Sequence, residues 1–380
     1  MGVIEEEQKK LGEYISEISS RVGTLEVPVL SVTNTSGFTN QTDYFSKKIH
    51  SKKINNYKIV RHNQFAYNPS RVNVGSIDRL HNYQIGALSP MYVVFSVDEQ
   101  RLHPEYLGYF VRTHSFYEQV KNNTSGSVRD SLAFKSLCDF KLYIPSVEKQ
   151  RRIIDELKKI DAVIALSDEI IEEAETLKAG LMQKLFNVNK FVKLGDYAQI
   201  STGTTPSTSD ESFYTGLNNF VKTSEINGEA IDRAATLISD SAITQYRLKK
   251  YKPGTVLLAM YGQGKTRGNS SILNVEASIT QNAAAIEPSG KLLSEYLWHY
   301  LKSQYERLRG DGVHGHIAHL NLGFVKELKI PFMDIEKQEE ASSLLNKVDE
   351  DIHANKLVRE AHKSLKLGLT QDLLTGKVAI

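Results

Sequence analysis

Residues 177–185 read Leu-Lys-Ala-Gly-Leu-Met-Gln-Lys-Leu, and residues 365–373 read Leu-Lys-Leu-Gly-Leu-Thr-Gln-Asp-Leu. Six of these nine positions match when one stretch is laid on the other. Self-similarity at a fixed offset is the sequence signature of a repeated structural unit. Both stretches lie in long segments whose apolar residues have helical spacing, so this pair of segments predicts how the whole chain is built.

Three shorter motifs recur in the same order and at nearly the same offset along the chain. They are Lys10-Leu11-Gly12 with Lys193-Leu194-Gly195, Glu105-Tyr106-Leu107 with Glu295-Tyr296-Leu297, and Glu148-Lys149-Gln150 with Glu336-Lys337-Gln338. Ile-Pro precedes the last motif in both copies. The 380 residues are therefore predicted to form two tandem units, each a globular part followed by a long helix. The predicted segments are 1–144 (globular), 145–190 (helix), 191–330 (globular) and 331–380 (helix).

The two helical segments are predicted to pack on each other. From Glu148 to Phe186 there is no proline and a single glycine, and apolar residues recur every three or four positions. A helix of this length would measure about 58 Å. The alternative is that each helix packs only on its own globular part, but such a length exceeds what one domain needs. Predicted contact residues are Ile153, Leu157, Ile160, Ile164, Leu345, Val348 and Ile352, on stripes that also include Leu177 and Leu365, with Ser167 and Asn355 as a candidate buried polar pair.

The globular parts mix both kinds of secondary structure. Short β-like runs lie at 27–32, 91–97, 255–260 and 283–286, and helical stretches lie at 105–120 and 295–308. Turn residues cluster between these runs. We therefore expect α+β domains, each with a twisted sheet.

Composition limits the class of protein. The chain is 40% hydrophobic and 24% charged, which is typical of a soluble globular protein. No apolar run reaches the length of a membrane span, the N-terminus has no secretory apolar region, and the single cysteine excludes an internal disulfide. These features predict a cytoplasmic protein. The net charge of +2 is too small to indicate nucleic acid by itself.

Basic residues concentrate in two windows, 44–77 and 241–275, which contain no Asp or Glu. The windows occupy corresponding places in the two units and are rich in Tyr, Asn, Gln, Ser and Gly. Lys and Arg neutralise phosphates, and Asn, Gln and Arg can read base edges. A solvated basic face is the alternative for either window alone, but two matched windows favour binding to nucleic acid.

Three motifs suggest chemistry and fall short of it. Residues 262–266, Gly-Gln-Gly-Lys-Thr, lack the first glycine of a phosphate-binding loop, because Ala259 stands in its place. Residues 67–70, Tyr-Asn-Pro-Ser, lack the second proline and the aromatic residue of an amino-methyltransferase loop. The histidines His314, His316 and His319 have no carboxylate to complete a metal site, and with Arg309 nearby they are predicted to face DNA. We find no nucleophile–base pair, so the sequence predicts a protein without catalytic residues or a metal.

The order of motifs resembles the specificity (S) subunit of Type I restriction–modification systems. In the second unit the resemblance rests on the motifs Gly203-Thr204-Thr205-Pro206-Ser207, Phe213-Tyr214-Thr215-Gly216 and Gln281-Asn282-Ala283. The Ile-Pro, Glu-Lys-Gln and long-helix element is present twice, and the resemblance covers essentially the whole chain. The first unit departs from the pattern, since residues 20–24 read Ser-Arg-Val-Gly-Thr.

This resemblance implies two target recognition domains, held apart by an antiparallel coiled coil of two long helices about a pseudo-twofold axis. Each domain would read one half of an asymmetric bipartite site in double-stranded DNA, and the helices would set the unread gap. Two modification subunits would dock on the helices and carry S-adenosylmethionine, and restriction subunits would bind on the outer side of the modification subunits. This chain itself would bind no cofactor. The candidate DNA-contacting residues are Lys47, Lys48, Lys52, Lys53, Arg71, Asn73, Arg129, Thr205, Ser207, Tyr214, Lys222, Tyr261, Gln263, Lys265, Arg267, Arg309, His314 and His316.

Other classes of protein remain open at this point. The chain could be an S-like protein that serves a different phage-defence methyltransferase, or a coiled-coil scaffold that never contacts DNA. An enzyme that binds a nucleotide through Lys265 and Thr266 is a further alternative.

Overall fold

The computed structural model describes residues 8–40, 54–124, 131–262, 264–310 and 320–378. The chain divides into two compact units. Unit 1 contains Met1–Asp168 and Leu357–Ile380, and unit 2 contains Glu169–Lys356. Each unit therefore holds one globular part together with a segment of each long helix.

The first globular part and the helix that follows it supply the elements up to residue 185. The strands are β1 (Lys9–Lys10), β2 (Ile15–Ile18), β3 (Leu30–Thr33), β4 (Gly37–Asn40), β5 (Lys58–Arg61), β6 (Phe65–Tyr67), β7 (Ile77–Arg79), β8 (Ile85–Leu88), β9 (Val93–Val97) and β10 (Lys141–Leu142). The helices are α1 (Pro104–Phe110), α2 (His114–Thr124), α3 (Phe134–Cys138) and the long helix α4 (Val147–Leu185).

The second globular part and the last helix repeat this arrangement. The strands are β11 (Phe191–Lys193), β12 (Ala198–Thr202), β13 (Asn218–Val221), β14 (Thr236–Ile238), β15 (Val256–Ala259), β16 (Ser270–Ile272), β17 (Ala277–Ile279), β18 (Ala283–Pro288) and β19 (Lys329–Pro331). The helices are α5 (Asp240–Tyr246), α6 (Ser294–Ser303), α7 (Tyr305–Arg309), α8 (Leu322–Glu327) and the long helix α9 (Ile335–Leu374).

The main sheets of the two units have the same strand order. The antiparallel sheet of unit 1 is ordered β2-β9-β6-β7, and that of unit 2 is ordered β12-β18-β15-β16. In both, the first strand pairs with the last, and a hairpin forms the far edge. A two-stranded antiparallel sheet also recurs, as β1-β10 and β11-β19. The other sheets differ, because unit 1 has the pairs β3-β4 and β5-β8 where unit 2 has the three strands β14-β13-β17. These findings confirm the predicted α+β class and the internal repeat.

Strand β15 shows why the core forms where the sequence is most apolar. All four of its residues are buried, and successive side chains of a strand point to opposite faces of the sheet. Val256 and Leu258 pack in the cluster that includes the helix residues Tyr296 and Leu297. Leu257 and Ala259 pack in a second cluster on the opposite face. The sheet of unit 2 is therefore covered on both sides, which explains the continuous apolar run of residues 256–259.

The repeated glutamine fixes the start of each long helix to its globular part. Gln150 and Gln338 are both fully buried. Gln150 Oε1 accepts from the backbone N–H of His103 at 2.7 Å, and its Nε2 donates to two backbone carbonyls at 2.9 Å. Gln338 Oε1 accepts from the N–H of Leu293 at 2.9 Å, and its Nε2 donates to two carbonyls at 2.8 Å. The Glu-Lys-Gln repeat is therefore a structural anchor, since each amide satisfies backbone groups that would otherwise be buried without partners.

Within each unit the segments of the two long helices pack antiparallel, as the predicted mutual packing requires. In unit 1, Ile153 and Leu157 share a core cluster with Leu373, and in unit 2, Ile171 packs with Val348 and Ile352. Interhelical ion pairs show that the segments are antiparallel, because the paired residue numbers rise along α4 while they fall along α9. The pairs are Asp161–Lys366 and Asp168–Arg359 in unit 1, and Glu175–Lys356 and Lys178–Asp349 in unit 2.

Some predicted helix contacts are wrong or weaker. Leu177 and Leu365 are 57% and 55% exposed, so they lie outside the contact stripes. Ile160 and Ile164 are only half-buried, whereas the other predicted contact residues are buried. The candidate polar pair is not needed, because Ser167 and Asn355 each donate to the backbone carbonyl four residues earlier in their own helix. Helical periodicity identifies apolar stripes but does not say which stripe a neighbour covers.

The two helical stretches predicted in the globular parts are each broken into two helices. The first break falls between Phe110 and His114. There, Thr113 Oγ1 donates to the carbonyl of Phe110 at 2.7 Å and accepts from the N–H of Phe116 at 3.2 Å, so it binds the end of α1 and the start of α2. The other break falls at Gln304, between α6 and α7. Within the described ranges, neither these helices nor α4 and α9 have the apolar length that crossing a bilayer requires.

Candidate nucleic-acid interface

The hairpin loop of unit 2, residues 260–269 between β15 and β16, carries the predicted residues Lys265 and Arg267. Backbone bonds between Ala259 and residues 268–269 close its base at 2.9 Å. Tyr305 Oη donates to the carbonyl of Lys265 at 2.8 Å. Gly268 has φ +85°, and a Cβ there would lie 2.7 Å from the backbone nitrogen of Arg309, so only glycine fits. The loop is therefore held against α7, which brings Lys265, Arg267 and Arg309 into one region.

A second group of predicted residues surrounds the turn at 280–282. Thr205 Oγ1 hydrogen-bonds to Thr280 Oγ1 at 2.9 Å and to Gln281 Oε1. Tyr214 Oη donates to the carbonyl of Pro206 at 2.8 Å, and Lys222 Nζ lies 5.7 Å from the centre of the Tyr214 ring. Thr205 and Tyr214 thus shape the surface through internal bonds, while Ser207 and Lys222 are exposed on it.

The same turn joins the two groups. The carbonyl of Asn282 accepts from the backbone N–H groups of Met260 and Tyr261, at 3.0 and 3.3 Å. Tyr261 is 47% exposed at the beginning of the hairpin loop. Unit 2 therefore presents one continuous surface, with exposed hydroxyl, aromatic and basic side chains along it. Such a set can neutralise phosphates and contact bases.

The hairpin loop of unit 1, residues 68–76 between β6 and β7, has the equivalent place in its sheet. Arg71 and Asn73 lie on this loop and are exposed. Asn73 also lines a cavity of about 560 Å³ with Lys121 and Asn122 of α2. Sequence reasoning missed these two side chains, although the polar run Lys121-Asn122-Asn123 was a signal. Other residues that line the cavity are His114, Tyr117, Glu118 and Thr124.

Eight of the predicted DNA-contacting residues lie outside the described residues. They are Lys47, Lys48, Lys52, Lys53, Arg129, Gln263, His314 and His316. His319 lies outside as well. In the remainder of the chain, no group of three or more His, Cys, Asp or Glu side chains is arranged to hold a metal ion.

The geometry of a phosphate-binding loop is not formed around Lys265. In such a loop the lysine and the following Thr open a helix, whose N-terminus binds the phosphates. Here the chain after Thr266 turns at Gly268 and enters strand β16 at Ser270. The nucleotide-binding alternative therefore lacks its structural basis.

Unit 2 also buries a polar group beside its long helices. His299 is fully buried, and burial lowers its pKa to about 4. Its Nε2 lies 2.7 Å from Asn346 Oδ1, and Asn346 Nδ2 donates to Glu295 at 2.9 Å. Because that amide already donates to a carboxylate, its oxygen must accept from His299, which fixes the neutral Nε2–H tautomer.

Comparisons with known proteins agree with this architecture. The family model of the Type I restriction modification DNA specificity domain matches residues 26–176 and 188–359, so the chain belongs to this family. The chain is 23% identical over 325 residues to the Type I restriction enzyme MjaVIII specificity subunit of Methanocaldococcus jannaschii, which covers 78% of this chain and 75% of that relative.

Solved structures share the fold. The S subunit of the Type-I restriction-modification system from M. genitalium aligns with a TM-score of 0.61 at 13% identity, over 97% of this chain and 96% of that one. A chain from a study of complex assembly and conformational transition of the type I R-M system aligns with a TM-score of 0.61 at 15% identity, over 97% of both chains. At these identities the likeness concerns the fold alone.

Proposed function

We propose that this chain is the DNA-reading subunit of a Type I restriction–modification complex, in which each globular part reads one half of a bipartite site. The observation that carries the proposal is the hairpin loop at the same edge of two sheets with the same strand order. One loop presents Arg71 and Asn73, and the other presents Lys265 and Arg267. Because the two loops differ in sequence, we expect two different half-sites.

We infer that residues 1–144 and 191–330 act as the two recognition domains and that the long helices set the distance between the half-sites. Half-sites read by paired domains must lie on helically compatible spacings, and one turn of DNA corresponds to about 34–36 Å. The 39 residues of α4 make a rod of about 58 Å, which is long enough to hold that spacing.

Repeated apolar side chains on the helix surfaces support docking of two copies of one partner. In unit 2, Ile170 and Leu177 are exposed seven residues apart on α4. In unit 1, Val358 and Leu365 are exposed seven residues apart on α9. The two pairs are separated along the chain by the same offset as the repeated stretches 177–185 and 365–373. Apolar side chains two turns apart on one helix face are typical of a surface that packs against another protein. We assign these faces to two modification subunits, which would supply S-adenosylmethionine and the methylation chemistry.

The proposal is tested by the salt dependence of binding to DNA that contains the site. Phosphate neutralisation releases counterions, so the affinity of the complex should fall steeply between low and high salt. Lys265→Ala should weaken binding and reduce the salt slope by about one. Lys291→Ala is the matched control, because Lys291 is exposed in the same unit and lies outside the loop. An affinity that stays constant with salt would favour the scaffold alternative.

A further inference from the structure

One aspartate in each long helix joins three elements of its unit. Asp161 of α4 and Asp349 of α9 occupy equivalent positions, separated by the same offset as the stretches 177–185 and 365–373. In unit 1, Asp161 Oδ1 accepts from Lys366 of α9, and Asp161 Oδ2 accepts from Tyr109 of α1 at 2.9 Å. One carboxylate oxygen therefore binds the other long helix, and the second oxygen binds the globular part.

Unit 2 repeats this division between the two oxygens with different partners. Asp349 Oδ1 accepts from Lys178 of α4, and Asp349 Oδ2 accepts from Lys302 of α6 at 3.1 Å. Lys302 Nζ also lies 4.4 Å from the ring centre of Trp298. Lys178 and Lys366 are the lysines of the repeated Leu-Lys-x-Gly-Leu stretch, so the repeat keeps the bond between helices while the partner in the globular part changes from Tyr to Lys.

Three polar attachments join each globular part to its long helix, and the aspartate is the one farthest from the start of the helix. The first is the buried glutamine, Gln150 or Gln338, which binds the backbone just before α1 or at the start of α6. The second lies eight residues later, where Lys158 pairs with Glu105 at 2.6 Å in unit 1 and Asn346 donates to Glu295 at 2.9 Å in unit 2. The aspartate lies eleven residues after the glutamine in both units, which is about 16 Å along a helix. Attachments that lie far apart along the helix restrict pivoting of the domain more than neighbouring attachments do, so the aspartate contributes most to fixing its direction.

The ion pairs of unit 2 are sheltered enough to contribute, and the Lys366–Asp161 pair of unit 1 is more exposed, at 26% and 40% for the two side chains. The side chains of Lys178 and Lys302 are 12% and 20% exposed, and that of Asp349 is 29% exposed. Pairs fully exposed to water contribute little, but partial burial and charge-assisted hydrogen bonds strengthen the interaction. Substituting Asn for Asp349 leaves one acceptor oxygen for two lysines, which only donate, so one of the two bonds must be lost. At Asp161 the amide of an Asn can still donate to the Tyr109 hydroxyl, so Asp161→Ala is the substitution that removes the junction of unit 1.

We propose that Asp161 and Asp349 are positioning residues that set the angle at which each recognition domain is carried on the helix pair, and thereby the gap length that the complex accepts. This inference rests on the proposed function above. It predicts that breaking one aspartate junction loosens the choice of gap and leaves the bases read in each half-site unchanged.

The test is methylome sequencing of a host that expresses the full chain together with its modification subunits. Asp349→Asn and Asp161→Ala should each raise methylation at gaps one base pair longer or shorter by about tenfold, the size expected for loss of one charge-assisted contact. Asp351→Asn and Asp155→Ala are the respective matched controls with the same side-chain changes, because both residues are exposed on the same helices. Lys302→Gln removes the charge on the globular side of the unit 2 junction, together with the contact over the Trp298 ring, and leaves the bond between the helices in place. It should give the same loosening as Asp349→Asn.

The outcomes separate the inference from the proposed function. If the unaltered chain yields no bipartite motif, the proposed function fails. If the unaltered chain yields one fixed gap and Asp349→Asn and Lys302→Gln keep it, only the inference is overturned. Loss of methylation at every gap in both variants also overturns it, because the junction would then support folding or assembly and not orientation. If Asp349→Asn alone is inactive, the gap spectrum of Lys302→Gln decides.

Discussion

Replacing Gln338 with Met should destabilise unit 2 strongly. The substitution keeps the side-chain length but removes three hydrogen bonds from a fully buried site. It leaves the N–H of Leu293 and the carbonyls of Lys291 and Met333 without their partner. At about 1–2 kcal/mol for each of the three buried groups left unsatisfied, the free energy of unfolding should fall by about 3–6 kcal/mol.

Urea unfolding followed by tryptophan fluorescence measures this directly. Trp298 is the single tryptophan of the chain and lies in unit 2, so its signal reports the unfolding of the unit that contains Gln338. Gln183→Met is the control, because Gln183 is exposed in the same unit and should change stability by less than about 0.5 kcal/mol. A loss below about 1 kcal/mol for Gln338→Met would refute the anchor role.

Three further outcomes are expected. Lowering the pH from about 6.5 to 4 should reduce the free energy of unfolding of unit 2 by up to about 3 kcal/mol through His299. The reason is that His299 binds a proton in the unfolded chain at a higher pH than in the folded chain, where its pKa is lowered. His299→Gln should flatten this part of the stability–pH curve, and an unchanged curve would contradict the argument. Arg267→Ala should change base preference in one half-site only, as read by selection from randomised DNA, and a change in both half-sites would contradict separate reading. Leu177→Asp and Leu365→Asp should each weaken the binding of one modification subunit by tenfold or more in a titration, because each substitution places a charge in an apolar contact. Unaltered stoichiometry and affinity would place the docking face elsewhere.

The sequence predicted the repeat and both long helices closely, because these depend on local patterns. The predicted helix from Glu148 to Phe186 is observed as Val147–Leu185, since an uninterrupted helical spacing without proline leaves the chain few other choices. The β runs at 255–260 and 283–286 became β15 and β18. The matching motifs also predicted that the two units share one topology, although strand order could not be derived.

Contacts between distant residues could not be predicted in the same way. The sequence identified Gln150 only as part of a repeat, because its partners at residues 101, 103 and 145 are brought together by folding. Tyr214 was predicted as a DNA contact, but its hydroxyl donates to the carbonyl of Pro206, a bond that depends on the path of the loop. Leu177 shares the apolar spacing of buried neighbours, and only packing shows that it is exposed.

The central claim is that two different loops on two similar domains read DNA at a fixed separation. Methylome sequencing of a host that expresses the unaltered chain with its modification subunits tests it most directly. The account predicts one asymmetric motif whose two different half-sites are separated by a constant unread gap, and exchanging residues 191–330 for those of a relative should change one half-site only. A continuous or symmetric motif, or a motif that is unchanged by that exchange, would contradict the account.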